Sequence, residues 1–404
     1  MPMPKRSSCT TMHKNSLTSN NSSRRRQKAA ERTNINLLRY MLDHPGTTCK
    51  GVAEDLGMSL PNVFRLVAGF KESGIVTGSE QKQTGKRGPW SQVISLRADL
   101  GCTIGVDLEA TRIRGVILDF ANNITDVTRQ PLSPTDGPEE IVSAVAEVAD
   151  QLVRTAHKQK IEVSAVGLGL PGPVTDMALG RVRTELQFGK ETMEFIPLVE
   201  GKCGIPTSAA ANSYCFTIGH HRMHKPRGTG IEMVVLNRFG LAAALMWNGQ
   251  LYTGASHYAG DLGLLPCGSG DRRYRDVCTG ASLLKWARER NDERPFQELL
   301  QSPDDPLVRE WLEEAVPGFA HAICAAIIIY NPDSVLIEGI FNKLPEETRG
   351  QIAEIVTEEV KQIGNMLPEI KFFEGDDLMG ARGAALLARD GVADDVLGDM
   401  LQAL

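Results

Sequence analysis

Asn62 and Arg65 stand three residues apart in a short amphipathic segment, 59–70, that opens with Ser59. Amide and guanidinium side chains of this kind read base edges, Asn on adenine and Arg on guanine. Lys86 and Arg87 lie between glycines in GSEQKQTGKRGP, where a flexible tip can meet phosphate. Arg24, Arg25, Arg26 and Lys28 add cations that hold phosphate without reading sequence. Charge is divided along the chain. Residues 1–98 carry 16 Lys+Arg and 6 Asp+Glu, net +10, and the remainder carries 28 and 44, net −16, which gives the total of −6. A basic head on an acidic body points to a polyanionic partner for the head. For the extreme N-terminus alone, a solvated basic tail is the plain alternative.

Other chemistry is sparse. The eight cysteines (9, 49, 102, 203, 215, 267, 278, 324) contain no CxxC, which predicts reduced thiols in a cytoplasm rather than a disulfide framework. His220, His221 and His224 (GHHRMH) have a spacing that suggests metal, but a solvated loop is the expected reading. The N-terminus lacks an apolar signal core, and no run of 18 apolar residues exists, so neither a secretory signal nor a membrane span is expected.

The elements that must position the head's polar residues follow from periodicity. Residues 34–44 (NINLLRYMLDH) place apolar side chains at helical spacing and end at Pro45-Gly46. Thr47 and Thr48 can cap a second helix over CKGVAEDLG, and Ser59 a third, with Pro61 in its first turn. Leu60, Val63, Leu66, Val67 and Phe70 form the third helix's apolar stripe, with Asn62 and Arg65 on another side. A strand at 75–77, the basic loop and a strand at 90–96 make a hairpin. The pattern predicts a winged helix-turn-helix at 34–98, preceded by a disordered tail at 1–33.

Residues 99–404 read as α/β. Strands at 103–108, 112–120 and 124–130, a helix at 138–158 and a strand at 164–170 are followed by a second series. That series has strands at 233–237, 241–247 and 250–252, then a helix at 309–330, a strand at 334–338 and a helix near 346–366. A strand at 370–374 and a helix at 378–388 close it. Two copies of one order predict two lobes, about 99–213 with the C-terminal helix and about 214–384, around a ligand cleft.

The segments IGVDLEATRIRGVILDF, GLGLPGPV (167–174), NGQLYTGASHYAGDLG (248–263), PDSVLIEGI (332–340) and GARGAALLA (380–388), with the GKRGP wing, resemble the ROK family of repressors and sugar kinases, in its regulator branch. The resemblance implies an actin-like (ribonuclease H-like, duplicated) body behind the winged helix. It also shows where kinase chemistry should lie. The first phosphate turn of such kinases, DxGxT, is here Asp107-Leu108-Glu109-Ala110-Thr111; the second, GTGIG, is Arg238-Phe239-Gly240-Leu241-Ala242. A carboxylate and a phenyl ring replace groups that let backbone N–H donors cradle phosphate. The family's catalytic base falls on Ala210. The zinc histidine falls on Leu264, and the cysteine cluster is reduced to Cys267 and Cys278. Sugar ligands carry over only onto Gly172, Glu185, Asn212 and Asp261, and the second acidic ligand falls near Arg275.

The expectation is a DNA-binding regulator of carbohydrate genes, most simply a homodimeric repressor. Ser59, Asn62, Arg65, Lys86 and Arg87 would sit on an operator, a sugar-like effector would be sensed, and neither zinc nor ATP would serve as cofactor. An active sugar kinase and a ligand-blind dimerising body are the alternatives.

Overall fold

A computed structural model describes residues 13–81, 91–133, 136–183, 192–224, 230–268, 270–362, 364 and 367–402. Lys86, Arg87 and Glu185 lie outside the described residues. The chain divides into two compact units. One holds Met1–Leu100, Phe120–Asn122 and Val392–Leu404; the other holds Gly101–Asp119 and Asn123–Gly391.

In the first unit, α1 (His13–Asp43) is followed by β1 (Thr47–Thr48), α2 (Cys49–Asp55), α3 (Leu60–Glu72), β2 (Val76–Gln81) and β3 (Ser91–Leu96). The strands form a sheet in the order β1-β3-β2, all antiparallel. The tail expected to be disordered is helical from His13, continuous with the predicted helix. Residues 27–31 (QKAAE) are strong helix formers, so the turn anchored by Leu37, Leu38, Met41 and Leu42 propagates backward at little cost. Thr48 caps α2, its hydroxyl accepting from the Gly51 N–H at 3.1 Å. Ser59 holds the N-cap position of α3, but its side chain makes no cap hydrogen bond. Val63, Val67 and Phe70 are buried as predicted, whereas Leu60 is exposed. The core also takes Ala393 and Leu397, from the end of a helix that runs past the expected 378–388.

The second unit opens with β4 (Cys102–Glu109), β5 (Arg112–Asp119), β6 (Ile124–Pro131), α4 (Pro138–Lys158) and β7 (Val163–Leu170). Three short strands, β8 (Val174–Asp176), β9 (Arg181–Arg183) and β10 (Thr192–Glu194), make a small side sheet. They lead to α5 (Ile196–Cys203), β11 (Thr207–Ala211) and α6 (Asn212–His224). The second series is β12 (Ile231–Asn237), β13 (Leu241–Trp247), β14 (Gln250–Tyr252), α7 (Gly280–Glu289), α8 (Phe296–Leu300) and α9 (Pro306–Tyr330). It ends with β15 (Ser334–Gly339), α10 (Glu346–Lys361), β16 (Glu369–Phe372) and α11 (Met379–Gln402).

The two five-stranded sheets, β6-β5-β4-β7-β11 and β14-β13-β12-β15-β16, share one topology. In each, the first three strands are an antiparallel meander, and the fourth and fifth run parallel to the first. The duplication expected from the sequence is therefore present in the pairing itself. Each sheet is covered on one side by a helix: α4 on the first, and α9 on the second with Trp311, Phe319 and Ile323 buried. By length and composition α9 could cross a membrane, but its face with Trp311, Phe319, Ile323 and Ile327 sits in this core, while Ile328 and Ile329 at its end are exposed. Gly105 and Gly167 let α11 approach the first sheet. A Cβ at either would lie 1.9 or 2.0 Å from the carbonyl oxygen of Ala381 or Ala384.

Candidate functional site

The hairpin joining β4 to β5 sets the first feature. Antiparallel pairing places Asp107 opposite Arg114 and Glu109 opposite Arg112, with only Ala110 and Thr111 between the strands. Arg114 is 1% exposed and donates to Asp107 Oδ2 at 2.9 Å; it also pairs with Glu109. The Arg112 Nε donates to Glu109 Oε2 at 3.0 Å. The hairpin joining β12 to β13 supplies the third cation. Arg238 pairs with Glu109, lies 3.5 Å from Asp107 Oδ2 and donates to Glu338 of β15 at 2.9 Å. Asp377 joins the edge, accepting from Arg129 at 2.9 Å.

The electrostatics separate the two central carboxylates. Burial raises Glu109, but Arg238, Arg114 and Arg112 more than offset it and hold the carboxyl at about 2. Burial dominates at Asp107 and pushes it above the usual carboxylate range despite Arg114 and Arg238. Its Oδ1 has no hydrogen-bond partner among the described residues. Two acids sharing two arginines are thus driven apart. Glu109 occupies the hairpin tip as a fixed anion with three arginines around it. The sequence showed a carboxylate in place of a phosphate-cradling residue at this point; the structure places Arg238 there as its counter-ion. Phe239 of the second turn packs edge-on against Phe296, centroids 5.0 Å apart.

Both turns open on one cavity of about 810 Å³. Gly172, Asn212 and Asp261, the described residues onto which the family's sugar ligands carry over, line it. Gly172 has φ +87°, a conformation that favours glycine. The GLGLPGPV segment therefore divides: Gly167 serves packing against α11, while Gly172 shapes the cavity wall. Asn212 begins α6. Tyr214 of the same helix donates from its hydroxyl to the Ala259 carbonyl at 3.0 Å, tying down the loop that carries His257 and leads to Asp261. Burial lifts the Asp261 carboxyl above its ordinary range, and Arg275 pulls it back in part. Arg183, His257, Arg273 and Arg275 also face this cavity. Only Arg275 was singled out from the sequence; Arg183 sits on a three-residue strand too short to produce a periodic signal.

The position of the family's base, Ala210, pairs with Gly169 in the sheet, and segment 207–212 (TSAAAN) contains no carboxylate. Leu264 is exposed, and its carbonyl accepts from Arg273. Burial raises the thiols of Cys267 and Cys278. Among the described residues, no three His, Cys, Asp or Glu side chains are grouped to hold a metal. The histidines expected in a solvated loop are on α6 instead. His220 and His221 meet the Glu232 carboxylate through Nδ1 at 2.8 and 3.0 Å.

The sequence pattern of the ROK family matches residues 103–391. A glucokinase of Halalkalibacterium halodurans is 25% identical over 162 residues, 40% of this chain and 48% of that protein. A xylose repressor of Caldicellulosiruptor bescii is 20% identical over 215 residues, 53% of this chain and 52% of that one. The chain thus spans about half the length of these relatives. Among solved structures, a ROK family transcriptional regulator, described as a homologue of the Escherichia coli Mlc protein, superposes with a TM-score of 0.65 at 13% identity. That match covers 92% of this chain and 98% of the other. The ROK hexokinase of Thermus thermophilus gives 0.57 at 21% identity, over 72% of this chain and 99% of its own. The family pattern, over the span that holds both repeated sheets, shows that this chain belongs to the ROK family.

Proposed function

We propose that the protein is a DNA-binding, sugar-responsive transcriptional regulator whose kinase-like body does not phosphorylate. The observation that carries this reading is the ion-pair cluster at the two phosphate turns. A nucleotide's phosphates would have to displace Glu109, a carboxylate held by Arg112, Arg114 and Arg238. Cations already spent on an internal anion are not available to stabilise a transferring phosphoryl group.

The first unit supplies the other half of the reading. Its helices and hairpin fit a winged helix-turn-helix, with α3 as recognition helix. The Arg65 Nη2 donates to Asn62 Oδ1 at 2.9 Å, which places both on one exposed edge. Ser59 starts that edge with a hydroxyl not used in capping. Phe64, 54% exposed, stands beside them and suits contact with a thymine methyl. A basic loop carrying Lys86 and Arg87 would hold the backbone. Dimerisation through the body would present two such units to half-sites about 34 Å apart or a multiple of it. The relatives named as repressor and regulator support this assignment; an effector sugar would enter the 810 Å³ cavity.

The test is selection of DNA from a random library with the full-length chain, followed by affinity measurement on the selected site. A defined, partly palindromic sequence is expected. Arg65→Ala should weaken it by roughly 1–3 kcal/mol and relax specificity. Lys86→Ala should weaken all DNA alike and flatten the salt dependence by about one unit of slope. Failure to enrich any sequence refutes the reading. The glucokinase relatives favour a kinase as the second reading, and a coupled ADP-release assay over hexoses, pentoses and N-acetylated amino sugars separates the two. Turnover near one per second with any of them would establish that second reading.

A further inference from the structure

Helix α1 is longer than its unit's core requires. Leu37, Leu38, Met41 and Leu42 anchor its end, and among the described residues none before Leu37 belongs to the core cluster. Residues 27–32 are all exposed, and the helix continues back to His13. At 1.5 Å per residue, the part at 13–32 is a rod about 30 Å long.

The composition of this rod says what it can meet. It holds six Lys+Arg (Lys14, Arg24, Arg25, Arg26, Lys28 and Arg32) against one acid, Glu31, and its only apolar residues are Leu17, Ala29 and Ala30. A helix polar on every side needs either many ion pairs along its surface or a partner. Among the described residues, the first cation of α1 that finds an acid is Arg39, which meets Asp394 at 3.0 Å. Lys28 and Arg32 have no such acid. Arg24, Lys28 and Arg32 follow one another at i,i+4, so the helix sets them on one face, about 6 Å apart along its axis. Like charges at that spacing oppose helix formation, and a polyanion reverses the sign. An anionic membrane would match the charge, but helices that lie on membranes bury an apolar face, which this rod lacks. A duplex presents phosphate and asks for no apolar face.

We propose that the N-terminal extension of α1 is a second DNA-binding element, a basic helix whose Arg24, Lys28 and Arg32 face lies along the phosphate backbone beyond the base pairs that α3 reads. This rests on the DNA-binding reading above and adds a surface to it. At 3.4 Å per base pair the rod spans roughly nine base pairs, more than one recognition helix contacts. It adds affinity without sequence preference.

The experiment compares the full-length chain with its triple variant Arg24→Gln, Lys28→Gln, Arg32→Gln by fluorescence anisotropy; glutamine keeps the helix propensity. The duplexes are the selected operator, the operator with roughly ten base pairs of added flank on each side, one helical turn, and an unrelated sequence. The wild-type chain should bind the flanked operator about tenfold or more tightly than the bare one, and the variant should bind both alike. On flanked operator and unrelated duplex the variant should lose about ten- to a hundredfold, and its salt slope should flatten by about two to three units, 0.9 for each lost phosphate contact. Wild-type affinity and slope in the variant would overturn the inference and leave operator recognition through Arg65 intact. A loss confined to the operator would mean base readout and would also overturn it. So would a lowered urea midpoint, which would make the three residues structural, or binding to phosphatidylserine vesicles that the variant loses while it keeps its DNA affinity. If the wild-type chain binds no duplex at all, this inference and the DNA-binding reading fall together.

Discussion

One cavity has two differently built ends. At the phosphate turns, cations and carboxylates are closed on one another: Glu109 sits among three arginines, and Asp107 is fully buried beside Arg114. Elsewhere along the wall, Asp261, Asn212, His257 and Arg183 line open space, and the chain adopts positive φ at both Gly172 and His257. The first group satisfies its charges internally; the second leaves polar groups on the wall of the cavity. A kinase needs both ends open, whereas a sensor needs only the second. The difference also predicts two kinds of mutational response. Substitutions at the closed end should cost folding, and substitutions at the open end should cost binding.

Arg238→Ala should have the largest effect. It leaves the buried acids Asp107 and Glu109 with one fewer counter-ion and removes the partner of Glu338. Breaking a buried ionic cluster from one side typically costs about 3–5 kcal/mol. Urea unfolding of the wild-type and variant chains measures this. A loss below about 1 kcal/mol would show that the closed end is not a structural unit.

Acid should attack the same end next. Glu109 titrates at about 2 when folded and in the ordinary range when unfolded. A depressed carboxyl contributes stability that is complete above roughly pH 4.5 and is lost as pH falls toward 2. The loss is on the order of 3 kcal/mol, diminished by Asp107, whose raised carboxyl takes its proton earlier. Glu232, held at about 2 by hydrogen bonds from His220 and His221 against its burial, fails in the same window. Glu109→Gln should therefore reduce, without abolishing, the steepness of stability against pH between 5 and 3. An unchanged slope would place the acid sensitivity elsewhere.

How far the sequence foretold these two ends follows from how each is assembled. Long buried strands such as 103–108 and 233–237 are near-continuous apolar runs, so both sheets were visible. The pairing of Asp107 with Arg114 was also within reach, because a two-residue turn fixes which residues face each other across the hairpin. Arg238 was not, since it meets Asp107 across 131 positions of sequence and two separate hairpins. The side sheet of three-residue strands that carries Arg183 gave no periodicity to read. Packing of Ala393 and Leu397 with Leu37 and Leu38 was equally hidden, because helix periodicity tells which face is apolar but not what covers it.

The smallest effect on folding, and the sharpest test of the contrast, belongs to Asp261→Asn. Burial raises this carboxyl, which means the folded protein holds the ionised form at a cost. A group whose folded value lies above its unfolded one makes the protein less stable as pH rises through that interval, so at neutral pH the penalty is fully present. Asparagine removes the charge and keeps the shape. The variant should therefore unfold at the same urea concentration as wild type or a higher one, the opposite of Arg238→Ala. Such a cost, tolerated at a cavity wall, is the pattern of a residue kept for its ligand. Asp261→Asn should lose most affinity for the sugar that binds the wild-type chain, about tenfold or more, because a strong acceptor to ring hydroxyls becomes a weaker one. Calorimetry and urea unfolding on the same preparations decide the matter. A variant that is markedly less stable yet binds sugar normally would make Asp261 part of the scaffold and erase the distinction between the two ends.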